Sequence, residues 1–66
     1  MHRVIEYCGY RRLVEVDDPR LYRVNGGRYL VQSQTGPLAA WQLVEATNDP
    51  EHAYRLLHAG RVAGLG

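Results

Sequence analysis

The chain has 66 residues, a formal charge of +1 at neutral pH and 45% hydrophobic side chains. That length suits one small domain, residues 1–66, whose single core supplies only ~3 to 5 kcal/mol, and so small a charge does not by itself announce nucleic acid. The lone cysteine, Cys8, excludes an internal disulfide and with it a cross-linked secreted scaffold. The opening Met1-His2-Arg3-Val4-Ile5-Glu6 lacks the apolar run of a signal peptide, and no stretch approaches the ~20 apolar residues of a membrane span. The expectation is a cytoplasmic protein with no membrane partner.

Residues 4–16 read as a first hairpin, with Gly9-Tyr10 as a type II′ turn. That turn opposes Ile5 to Val14 and Tyr7 to Arg12. Asp17-Asp18-Pro19-Arg20 then carries acidic turn formers and a proline with preset φ, the composition of a loop. Beyond it, two β-prone runs, Leu21 to Val24 and Arg28 to Ser33, flank Asn25-Gly26-Gly27, which reads as the turn of a second hairpin. Alternation gives the resulting meander two faces. Ile5, Tyr7, Arg12, Val14, Val16, Tyr22, Val24, Tyr29 and Val31 form the expected core face. The other face keeps Val4, Leu13, Leu21 and Leu30, more aliphatic surface than a solvated sheet face usually carries.

Thr35-Gly36-Pro37 breaks the strand. The following residues 38–46 are rich in helix formers, with Ala40, Trp41, Leu43 and Val44 on one arc; a helix is favoured over the competing fifth strand because no clean alternation is visible. Asn48-Asp49-Pro50-Glu51 is a helix start, with Asp49 as N-cap, Pro50 at the first helical position and an acid in the first turn. This helix is expected over about 50–59, stopping at Gly60, with a buried stripe of Ala53, Leu56, Leu57 and Gly60 flanked by Tyr54 and Arg61. A tail at 62–66 is expected to fray. The fold class is α+β: a four-stranded antiparallel β-meander followed by two short C-terminal helices.

No constellation of residues points to catalysis, so a non-enzyme is expected. Cys8 shares a strand face with Glu6 but has no basic residue fixed beside it by local sequence, and Ser33 stands alone. His2, Cys8, His52 and His58 have no chelating spacing, since His52 and His58 are out of phase on a helix and no Cys-x-x-Cys or His-x-x-x-His occurs. Gly26-Gly27 is not a phosphate loop, because no lysine follows and no helix opens after it. Neither a metal nor a cofactor is implied.

Two binding functions remain. In the first, the chain is a small inhibitor or accessory factor, of the kind phages and mobile elements carry, docking on a larger protein or protein complex through a sheet face that the helices leave open; a homodimer would bury the same surface. Tyrosine and arginine are enriched at the centres of such interfaces, and the candidate contact residues are Tyr7, Tyr10, Arg11, Arg12, Tyr22, Arg23, Arg28 and Tyr29. In the second, Arg3, Arg11, Arg12, Arg23 and Arg28 contact phosphates while Tyr7, Tyr22 or Tyr29 stacks on bases. Glu6, Glu15, Asp17 and Asp18 offset much of that basic charge, which favours the protein partner.

Overall fold

Strands β1 (His2–Cys8) and β2 (Arg11–Val16) form the expected hairpin in the computed structural model, which describes the backbone of residues 2–65 and the side chains of residues 2–59. Gly9 at the turn has φ 59°, a backbone conformation that glycine adopts without strain. Tyr7 opposes Arg12 as expected, but Val4, not Ile5, opposes Val14, because Ile5 is the extra residue of a β-bulge. N-terminal to the bulge, every side chain is therefore on the face opposite to the one that simple alternation assigns.

The next seven residues are a helix, α1 (Pro19–Asn25), where a strand of a second hairpin was expected. Asp18 is its N-cap, accepting from the Arg20 amide at 3.0 Å, and Pro19 fits the first helical position. Gly26, at φ 91°, ends it in the left-handed conformation, and its amide donates to the Tyr22 carbonyl at 2.9 Å. Asn25-Gly26-Gly27 thus terminates a helix instead of turning a hairpin. Gly27 is required for a different reason: a Cβ there would lie 2.5 Å from the Thr47 amide nitrogen.

Strand β3 (Tyr29–Ser33) pairs antiparallel with β2, and β4 (Gln42–Thr47) pairs antiparallel with β3, giving one sheet of order β1-β2-β3-β4. The β4 segment corrects the helix expected over 38–46. Its alternation is masked because Val44 is bulged, so Leu43 opposes Gln32 while Glu45 opposes Val31. Pairing along the free edge of β3 outweighs the weak helical propensity of the segment.

The four-stranded antiparallel meander with two helices is as the sequence indicates, with one helix placed between β2 and β3. Helix α2 (Pro50–Leu65) starts at its expected cap, where Asp49 accepts from the Glu51 amide at 3.0 Å, and it continues past Gly60 to Leu65. The side chains of residues 60–66, including the Arg61 flank and the expected loose tail, lie outside the described residues.

The helices take opposite faces. Ala53 and Leu57 of α2 seal Leu13 and Val31, with Cys8, Tyr29 and Leu56 around them. On the other side Tyr22 of α1 rests on Val14, Val16 and Leu30, flanked by Val4 and Ala46. This pairing of Val14 with Leu30, and of Leu13 with Val31, replaces the expected core face: Tyr29 and Val31 belong with Leu13, and Val24, expected inside, is 81% exposed on α1. No helix among the described residues is long and apolar enough to cross a membrane.

Candidate functional site

With only seven residues, α1 shields the Val14, Val16 and Leu30 end of its face and no more. The far end, at the β1–β2 turn, stays open. There, Arg12 and Tyr7 are cross-strand neighbours on β2 and β1, and Gln32 and Leu43 continue the row across β3 and β4. Trp41 reaches this face from the loop just before β4. The loop is braced by Gln34, whose backbone amide donates to the Tyr10 carbonyl and whose side-chain amide donates to the Ala39 carbonyl, both at 2.9 Å.

The guanidinium of Arg12 lies over the Trp41 ring, 4.3 Å from its centroid, and Tyr7 tilts against the same indole with centroids 6.2 Å apart. A cation over an indole face is the strongest of the cation–π pairings. The Nε of Arg12 donates to Gln32 Oε1 at 2.7 Å. Its two terminal nitrogens have no hydrogen-bond partner among the described residues. The Trp41 contact and the Gln32 bond therefore anchor a guanidinium whose outer fork has no hydrogen-bond partner among the described residues. Tyr7 is 61% and Leu43 53% exposed beside it.

Charge divides between the faces by register. The three glutamates of the strands all lie on the α2 side: Glu6 with His58, Glu45 with His52, and Glu15 with both Arg3 and Arg28 at 3.0 Å. No strand position on the Arg12 face is acidic. A surface hollow of about 300 Å³, lined by His2, Arg3, Glu15, Asp17 and Arg28, mixes both signs and is not a coherent anion site.

Of the eight candidate contact residues, the structure brings together Tyr7 and Arg12. Tyr10 is exposed at the adjoining turn. The others are placed elsewhere on the fold. Arg11 faces α2 and donates to the Leu56 carbonyl at 2.8 Å, and Tyr29 borders the α2 core. Tyr22 is the packing residue of α1, while Arg23 stands exposed on the same helix. Arg28 sits at the sheet end, 5.8 Å and 5.9 Å from the ring centroids of Tyr22 and Tyr29.

Trp41, Gln32 and Leu43 were not among the candidates. Trp41 falls on the apolar arc of an expected helix that does not form, and only its aromatic character marks it out in the sequence. No protein-family model matches the chain, and no curated protein or solved structure matches it either.

Proposed function

We propose that the protein is a non-enzymatic binding module that docks on a larger protein through the open end of its sheet, with Trp41, Tyr7 and Arg12 at the centre of the contact. The observation that carries this reading is the Arg12 guanidinium held over Trp41, its two terminal nitrogens without a hydrogen-bond partner among the described residues. Trp, Tyr and Arg are the residue types that dominate binding energy at interface centres: the two aromatics present large area with few rotors, and Arg adds a planar, multiply donating fork. The complementary surface carries a carboxylate for the Arg12 fork beside apolar groups for Trp41 and Leu43.

Two features favour face docking by a protein over the other modes. Both edge strands are bulged, at Ile5 in β1 and at Val44 in β4, which interrupts the straight ladder that an added strand would need. A nucleic-acid surface would need several phosphate contacts, and among the described residues the open face at this end of the sheet offers one arginine, Arg12.

The test is capture of partners from a lysate of the source organism by the tagged protein, with Trp41→Ala and Arg12→Lys in parallel. A stoichiometric protein band should survive nuclease and high salt, weaken about 30-fold or more with Trp41→Ala, and weaken with Arg12→Lys, which keeps charge but loses the fork. Arg23→Glu, on the outside of α1, should retain it. If all three variants capture the band equally, or if nuclease removes it, this docking surface is wrong. Far-UV circular dichroism of each variant separates loss of contact from loss of fold.

A further inference from the structure

A second cluster lies on the opposite face, where α2 crosses β1. Cys8 Sγ is 3.5 Å from Nδ1 of His58. On the other edge of that imidazole, Nε2 is 3.1 Å from Glu6 Oε2. The remaining Glu6 oxygen accepts from the Tyr54 hydroxyl, and the Tyr54 ring stacks on His58 with centroids 5.5 Å apart and planes 21° from parallel. Glu6 and Cys8 are two residues apart on β1 and so share a face, while Tyr54 and His58 are one turn apart on α2.

We propose that Cys8 is a thiol–disulfide exchange site for small-molecule disulfides, with His58 as its proton acceptor and Glu6 as the group that orients His58. A carboxylate at Nε2 holds the imidazole proton there and leaves the Nδ1 lone pair facing the thiol, the logic of a nucleophile, a base and an orienting acid in series. Because Cys8 and Glu6 engage opposite edges of one ring, they do not converge on a shared metal position. Among the described residues no three His, Cys, Asp or Glu side chains are grouped to hold a metal. The site is reachable: Cys8 is half-buried and the His58 side chain is 43% exposed.

The reaction balances without a further reagent. The Cys8 S–H proton passes to His58 Nδ1 as the sulfur attacks one sulfur of RS–SR. The reagent's S–S bond breaks, the Cys8 S–S–R bond forms, and RS⁻ leaves and takes the proton from the imidazolium as RSH. Cys8 is oxidised to the disulfide level while the departing thiol is reduced. Exchange asks only for a proton acceptor, access and a leaving thiolate. Acyl transfer would also need donors for an oxyanion, and the contacts of Cys8 among the described residues include none. This site is on the α2 side of the sheet, so it stands or falls independently of the docking surface around Trp41.

The experiment is the rate of reaction of the intact chain with 2,2′-dithiodipyridine at neutral pH, followed by absorbance of the released thiopyridone. Cys8 is the only cysteine, so the signal has a single source. The folded protein should react about tenfold or more faster than the same chain unfolded in urea, and intact mass should show one adduct. His58→Asn should lose most of that advantage and Glu6→Gln part of it, with fold checked by circular dichroism. A folded rate at or below the unfolded rate overturns the proposal and needs no variant. So does an equal or faster rate in folded His58→Asn, since the ring would then only shield the thiol.

Discussion

Replacing Gly27 by alanine sets a methyl group against the end of β4. Its Cβ would stand 2.5 Å from the Thr47 nitrogen, 2.6 Å from the Thr47 carbonyl carbon and 2.7 Å from its Cα. Favourable contact between such atoms lies near ~3.5 Å or beyond, so the two backbones must part by about 1 Å. Neither is a flexible side chain that can swing away. Overpacking of this kind costs ~1 to 3 kcal/mol or more, against which the reduced entropy of the unfolded alanine chain returns ~0.4 to 1 kcal/mol.

The net expectation is a loss of about 2 kcal/mol, or roughly 8 to 16 °C in Tm for a domain of this size, read by thermal and urea unfolding followed at 222 nm. Gly26→Ala is the comparison. Its new Cβ has open surroundings, the nearest atom being the Ala46 Cβ at 3.9 Å, so only the strain of φ 91° remains, about 1 kcal/mol. A Gly27→Ala protein within about 0.5 kcal/mol of wild type would refute the close approach of β4 to this glycine. It would reopen the assignment of Asn25-Gly26-Gly27 as a helix stop.

Two further outcomes follow from burial and from a hydrogen bond. Leu57→Ala, at a side chain with no exposure, should cost ~2 to 4 kcal/mol in urea unfolding, whereas Val24→Ala, on the outside of α1, should stay within about 0.5 kcal/mol; comparable losses at both would put Val24 back in the core. Glu6, by accepting from the Tyr54 hydroxyl and by its charge, holds that phenol above the usual ~10. The protonated phenol is the bonded form, so its contribution is complete below ~10 and fades as pH rises through the raised value. Ring carbon NMR should show Tyr54 titrating above the usual ~10 of a tyrosine, and Glu6→Gln should lower its midpoint. A Tyr54 midpoint that Glu6→Gln leaves unchanged would contradict the contact.

The sequence was most legible where two local signals agreed. At Asp49-Pro50 a cap, a proline and an apolar stripe at helical spacing coincide, and α2 begins there. At Gly9-Tyr10 the turn and the flanking alternation coincide, and Tyr7 meets Arg12. At Asp18-Pro19 the same cap and proline are present, but a helix of two turns is too short to display a 3.6-residue period, and Tyr22 and Val24 imitate a strand. Asn25-Gly26-Gly27 serves a helix stop as readily as a hairpin.

The bulges at Ile5 and Val44 each shift alternation by one residue, which hid the true face of Val4 and the strand character of 42–47. Of the open site, the Tyr7 and Arg12 pair was readable because it depends on one hairpin. Trp41 was not, because its position depends on how the loop after β3 folds back. The meeting of Cys8 with His58, 50 residues apart, follows only from α2 choosing the face that Leu13 and Val31 share.

That choice also governs when the protein can fold. Helix α2 follows all four strands in sequence, yet it touches each of them. A ribosome therefore delivers β1 to β4 before anything is available to cover Leu13 and Val31, and the nascent sheet offers an apolar face to solvent and chaperones until Leu57 has emerged. Completion of the core waits for α2, so a translation product halted before Ala53 would lack the cover of Leu13 and Val31.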